Sequence, residues 1–153
     1  PQEESPGVVI RTSPLAQLFQ SVPVVYAPAL DAEHSEIHIR QTSDGVVMIG
    51  EGSQESLRED DSQAHADDLL ARATQYLPGL ATATAIPVPV GYRPMPLDGY
   101  PVLGFVNAVP NVYIALTHSG ITLAPLIGEL AAIEIVDNVR AEVLSAYRVE
   151  RFI

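Results

Sequence analysis

Arg93 is the side chain whose surroundings most demand an anion. It lies in Gly91-Tyr92-Arg93-Pro94-Met95-Pro96-Leu97-Asp98-Gly99, and from Ala85 to Gly128 the only formally charged side chains are Arg93 and Asp98. A guanidinium in an uncharged, proline-flanked stretch loses water on folding and needs a counter-charge to offset the loss. Two are available: Asp98, across a turn, or the carboxylate of a ligand, which the planar fork of arginine grips at two points. A second constellation runs from the apolar segment Val112–Leu116 through Thr117-His118-Ser119-Gly120 into a helical pattern. A strand that enters a helix through small residues leaves backbone N–H groups free at the helix N-terminus, and with the macrodipole these favour electron-rich ligand atoms. The structural alternative is an ordinary N-cap by Ser119 or Thr122, with His118 facing solvent.

Other chemistries are poorly served. His34 and His38 are four apart, but the alternation of Glu36-Ile37-His38-Ile39-Arg40-Gln41 fits a strand, where that spacing does not build a helical metal pair. Glu33, Glu36 and Glu59-Asp60-Asp61 lack the glycine-punctuated spacing of a calcium loop. No metal site is expected. The sequence holds no G-x-G-x-x-G, P-loop or G-x-S-x-G, which removes self-contained dinucleotide binding, nucleotide hydrolysis and the usual hydrolase elbow. It also has no cysteine, hence no thiolate ligand, disulfide or cysteine nucleophile, and a cytoplasmic setting is expected. A net charge of -11, with eight arginines and no lysine, opposes a phosphate-backbone or anionic-membrane partner.

The elements that must hold these residues follow from the hydrophobic pattern. At 153 residues, 47% hydrophobic and only 18% charged, the chain has one domain's worth of core-forming sequence. Its apolar runs, such as Val102–Val106 and Ile121–Leu130, are too short to span a bilayer, and no signal or transit segment opens it. Pro1–Pro6 reads as an acidic lead-in. Strands are expected at Val8–Thr12 and Val22–Tyr26, and Glu36–Ile49 forms a hairpin turning at Asp44-Gly45. Glu51–Asp61 reads as a solvated acidic loop. Asp60 or Asp61 then caps a helix through Leu69, Leu70, Ala73 and Leu77 that stops at Pro78-Gly79. Ile86–Val90 is extended by its alternate prolines, and Val112–Leu116 reads as a fully buried strand. A helix is expected from Leu123 to about Tyr147, with Pro125 in its first turn. The nearly uncharged stretch 85–128 is expected to be buried, against this chain or another surface. Strands and helices without regular βαβ alternation predict an α+β fold with a mixed or antiparallel sheet and helices on one face.

Two motifs in order carry a family resemblance: Gly91-x-Arg93-Pro94-x-Pro96-x-Asp98-Gly99-x-Pro101-x-x-Gly104, and, after Asn111-Val112-Tyr113, His118-Ser119-Gly120-Ile121-Thr122-Leu123-Ala124-Pro125 with Gly128 one turn on. Together they resemble the C-terminal part of FAD-dependent oxidoreductases of the D-amino-acid oxidase/glycine oxidase type. The hairpin Ile37–Arg40 to Met48–Gly52 is similar to that family's substrate-domain sheet, and Leu69–Leu80 to its helix ending in Pro-x-Leu. The resemblance covers most of the chain from about residue 8. It implies a substrate-binding α+β domain over 1–116 and a C-terminal helical segment, 117–153, that returns to an FAD-binding Rossmann-like portion, which is expected to precede this chain or to come from another.

The same resemblance implies that Arg93 holds a substrate carboxylate, that Tyr92 and Met95 shape the pocket, and that His118, Ser119, Gly120, Ile121 and Thr122 line the flavin. The expected substrate is a small amino acid or secondary amine oxidised at its C–N bond. Thr117 departs from the glycine that many members place before the histidine-like position. The sarcosine-oxidase-like branch is less similar, since this chain has neither its lysine nor its cysteine. Two rivals from other classes are a non-enzymatic α+β module docking through its apolar 85–128 surface, and a subunit completing a flavin site in trans.

Overall fold

The computed structural model describes residues 2–3, 5–21, 24–52, 59–109 and 111–152. In chain order its strands are β1 (Gln2–Glu3), β2 (Pro6–Gly7), β3 (Val9–Thr12), β4 (Val25–Ala27), β5 (Ile37–Gln41), β6 (Val47–Glu51), β7 (Ala85–Pro87), β8 (Gly91–Tyr92), β9 (Met95–Pro96), β10 (Val102–Phe105) and β11 (Tyr113–Leu116). Its α-helices are α1 (Gln63–Tyr76) and α2 (Gly120–Asp137), with 3₁₀ turns at Pro78–Leu80, Glu142–Tyr147 and Val149–Phe152. All strand pairs among the described residues are antiparallel, so the fold is α+β as the pattern predicted. The chain forms two compact units, residues 5–92 and residues 93–152 with β1. The β10–β11 hairpin belongs to the second unit, where it packs with the segments that follow it.

In the first unit five strands pair in the order β4-β5-β6-β3-β7. The β5–β6 register sets Ile39 opposite Ile49 and Gln41 opposite Val47, so period-2 alternation turns Ile37, Ile39, Val47 and Ile49 to one face. There Ala66, Leu69 and Ala73 of α1 cover them, and all seven are essentially inaccessible. Each large side chain so buried contributes about 1.5–3 kcal/mol. The edge position of β7 explains its proline: Pro87 pairs with Ile10 on one side and has no second neighbour to disappoint. Of the strand expected at Val22–Tyr26, Val25–Ala27 is observed, while Val22 and Pro23 lie outside the described residues.

The hairpin turn is held by Thr42 and Gly45. Thr42 N–H donates to the Val46 carbonyl at 2.9 Å and Gly45 N–H to the Thr42 carbonyl at 3.0 Å. Gly45 has φ +86°, and a Cβ there would stand 2.5 Å from the Leu15 carbonyl oxygen, itself backbone and unable to move aside. Gly45→Ala is therefore expected to cost about 2–3 kcal/mol, read as a fall in the urea midpoint with unchanged slope.

Two expectations in this unit are corrected. The cap of α1 is Ser62, whose hydroxyl accepts from His65 N at 3.2 Å, while Asp60 takes the Ser62 N–H at 3.0 Å and so supports the cap from outside. Glu51 does not open a solvated loop: it ends β6, is 3% exposed, and meets Arg72 Nη2 of α1 at 2.8 Å and His65 Nε2 at 3.0 Å. Its register partner Ile37 faces the core, which carries Glu51 inward with it. The rest of that acidic loop, 53–58, lies outside the described residues.

In the second unit β10 and β11 form a two-stranded ladder from Val102↔Leu116 to Phe105↔Tyr113. With one partner strand, β11 is half-buried and Ala115 exposed, against the fully buried strand expected. The helix α2 starts at Gly120 and ends at Asp137, ten residues before Tyr147, because Asn138 adopts the left-handed conformation (φ 52°) that terminates helices. The earlier start places Pro125 inside α2 rather than in its first turn, where its missing N–H leaves the Ile121 carbonyl without its helical donor.

What fixes α2 to the hairpin is a buried ion pair. Glu134 is 1% exposed and accepts from Arg148 Nη1 at 2.8 Å, Tyr113 Oη at 2.9 Å and Ala141 N at 2.7 Å. Arg148 also donates to the Ala141 carbonyl at 3.0 Å. Gly104 lets this happen, since a Cβ there would stand 2.4 Å from Arg148 Nη1.

Candidate functional site

Arg93 leaves β8 and enters β9 through Pro94. It is half-buried, as is Met95, and both belong to the second unit. Tyr92 belongs to the first unit, is 57% exposed and donates its hydroxyl to Glu59 at 3.2 Å. The acid five residues beyond Arg93 is engaged elsewhere. Asp98 accepts from Arg151 at both oxygens, Nε at 2.6 Å and Nη2 at 2.9 Å, and its Oδ1 also takes the Tyr100 N–H at 3.1 Å. That fork holds the Asp98 carboxyl down at about 2. The acid that spacing offered to Arg93 is thus taken up in a long-range pair with the C-terminal 3₁₀ turn.

The second constellation takes the form of an open helix terminus. Ser119 precedes α2 with φ -100° and ψ 41°, and its side chain makes no capping bond. It lies instead 3.0 Å from His118 Nδ1, and both residues are half-buried. Thr117, the departure from glycine, is buried and accepts the Ser119 N–H at 3.2 Å, so it shapes the entry into the helix. Helical bonding begins with Leu123 N to the Ser119 carbonyl at 2.9 Å. The N–H groups of Gly120, Ile121 and Thr122 therefore point out of the first turn, which carries no acidic side chain. Gly120, Ile121 and Thr122 are exposed, and a Cβ on Gly120 would meet nothing within 4 Å. A carbonyl or anionic edge can approach these amides without steric cost.

Sequence reasoning missed Arg151, Glu134, Arg148 and Tyr113. Glu134 left a signal, a lone acid in Ile133-Glu134-Ile135 within an apolar helix. The arginines left none, because their partners are distant in sequence. The 85–128 stretch is only partly buried against this chain: Ala85, Val102 and Leu103 are buried, whereas Ile121 is 91% exposed, and Leu126, Leu97 and Tyr100 are exposed too. Farther along α2, Ile135 and Val136 are also exposed, giving the helix a broad uncovered apolar surface. Among the described residues no cluster of side chains could hold a metal, and no helix is long and apolar enough to cross a membrane.

The family model for FAD-dependent oxidoreductases matches residues 1–133. The chain belongs to that family. It is 34% identical over 117 residues to the uncharacterized oxidoreductase YurR of Bacillus subtilis, covering 72% of this chain and 30% of the relative. It is 27% identical over 115 residues to an opine oxidase subunit of Agrobacterium tumefaciens, covering 74% and 31%. Among solved structures, L-proline dehydrogenase from P. horikoshii superposes with a TM-score of 0.70 at 20% identity, and glycine oxidase from Geobacillus kaustophilus with 0.69 at 23%. Each match covers 99% of this chain and 40% of the other, and at these identities it shows a shared fold. The chain spans about a third of the length of the curated relatives it matches.

Membership in this family implies FAD, and the donor set suits it. Three outward amides at a helix terminus without an acidic neighbour are complementary to the electron-rich pyrimidine edge of a flavin. Gly120, Ile121 and Thr122 supply those amides.

Proposed function

We propose that this chain is the substrate-binding and C-terminal portion of an FAD-dependent oxidoreductase that oxidises an amino acid or secondary amine at its C–N bond. In this reading Arg93 grips the substrate carboxylate through two parallel N–H···O bonds, and Met95 beside it forms part of the pocket wall. The substrate loses a hydride from its α-carbon and a proton from nitrogen, leaving a C=N bond. Bound FAD supplies the hydride acceptor. The amides of Gly120, Ile121 and Thr122 would hold the pyrimidine edge and would offer donors to negative charge there without reorganisation, because the helix already aims them. The exposed apolar surface of α2 then meets the FAD-binding portion, in a cytoplasmic setting.

The observation that carries this reading is the uncapped terminus of α2, in the same unit as Arg93. It is tested in the full-length protein that contains this chain, reconstituted with FAD under anaerobic conditions. Amino acids and N-alkyl amino acids are expected to bleach the flavin absorbance. A spectrum unmoved by the whole panel overturns the proposal. The similarity to a protein named as an oxidase subunit favours a second arrangement, in which the FAD-binding portion is a separate chain. Stable yellow colour would then arise only on mixing the two.

A further inference from the structure

The Arg151–Asp98 fork stands out because exposed ion pairs are worth little on their own, whereas this one is bidentate and further braced. Arg151 Nη2 also donates to the Tyr100 carbonyl at 2.9 Å, Nη1 donates to the Arg148 carbonyl at 3.2 Å, and the guanidinium carbon lies 4.4 Å from the Phe152 ring centroid. Four hydrogen bonds thus tie a single side chain to the turn Leu97–Tyr100 and to its own 3₁₀ segment. The turn is tight, with Gly99 N–H donating to the Pro96 carbonyl at 2.9 Å and Gly99 at φ +75°.

Between that turn and Arg93 stand Pro94 and Pro96, separated by Met95. Proline fixes its own φ and restricts the residue before it to extended geometry, so Arg93 and Met95 are both constrained. The prolines thus stiffen the segment 93–96, which runs directly into the turn that holds Asp98. Anchoring the turn at Asp98 therefore constrains where the backbone places Arg93.

From this we infer that Arg151 is a positioning residue: its fork on Asp98 sets the aim of Arg93 and with it the affinity for a substrate carboxylate. The inference rests on the reading of Arg93 as the carboxylate clamp. It makes the C-terminal turn part of the substrate site although Arg151 touches no substrate. A bidentate clamp is sensitive to such aim, because both N–H···O bonds must be met together.

The test uses the full-length FAD-loaded enzyme. Arg151→Gln and Asp98→Asn are each expected to raise KM for a carboxylate-bearing amine roughly tenfold, with kcat within about twofold, the signature of lost uniform binding. The dissociation constant of a non-reacting carboxylate, read from the flavin spectrum, should rise by the same factor, while KM for an amine lacking the carboxylate stays unchanged. The double variant should be no worse than either single one, since both remove one fork. Equal loss for both substrate types, or no change with carboxylates while Arg93→Ala still raises KM, overturns the positioning role and leaves the clamp standing. If Arg93→Ala itself leaves KM unchanged, the clamp falls and the inference with it.

Discussion

Replacing Arg93 by alanine is expected to raise KM for carboxylate-bearing substrates by about 10²- to 10³-fold, or roughly 3–4 kcal/mol at 1.4 kcal/mol per decade. The reasoning is chemical before it is structural. A substrate carboxylate entering a low-dielectric pocket sheds water and must be met by a donor set of matching shape; the guanidinium offers two parallel N–H groups, and alanine offers none. Lysine restores charge but not the planar fork, and Arg93→Lys should recover only part of the loss. Flavin binding, proposed for the terminus of α2, should be unaffected. Steady-state kinetics with and without the carboxylate check the effect, and unchanged kinetics in the alanine variant would remove Arg93 from the site.

The largest stability effect is expected at Glu134. Glu134→Gln keeps the size of the side chain but leaves Arg148 buried without its counter-charge, at a cost of about 3–5 kcal/mol. Replacing both partners by apolar residues of similar volume should be milder than removing one, since no unpaired charge remains. The pH dependence identifies the same pair. Hydrogen bonding by Arg148, helped by the Ala141 N–H and the Tyr113 hydroxyl, holds the Glu134 carboxyl at about 2 against an ordinary 4.5, although burial opposes this. A carboxyl depressed in the folded state contributes its stability fully above the unfolded value and loses it as pH falls toward the folded one. The wild type should therefore weaken between about pH 4.5 and 2, by up to about 3 kcal/mol from this group, while Glu134→Gln, already weak, stays flatter across that window. On the other side of the contact, burial and the Glu134 carboxylate push the Tyr113 phenol up to about 12. Urea midpoints at several pH values measure all of this.

What was legible in the sequence was local. Alternation over Glu36–Gln41, the Asp44-Gly45 turn and the helical spacing of Leu69 and Ala73 specified the hairpin and α1, because side-chain period and turn chemistry are written over a few neighbouring residues. The small-residue entry into α2 was legible as well, but whether Ser119 caps it was settled only by its backbone and side-chain geometry. Boundaries were less secure. Ser62 and Asp60 compete for the same cap, and only the backbone angles at Ser62 decide between them. Asn138 ends α2 through a left-handed conformation that asparagine tolerates but does not compel.

Tertiary structure alone decided which charge meets which. Asp98 has one arginine five residues away and another fifty-three away, and it forks with the distant one; Glu51 reaches across to Arg72, and Glu134 to Arg148. Nothing in composition or spacing ranks these choices, because Coulomb attraction acts through space and the folded backbone sets the distances. The sequence by itself established an acidic, cysteine-free α+β chain with one arginine set in a nearly uncharged stretch and a small-residue entry into its second helix. The fold then assigned Asp98 to Arg151 at the turn that follows Arg93.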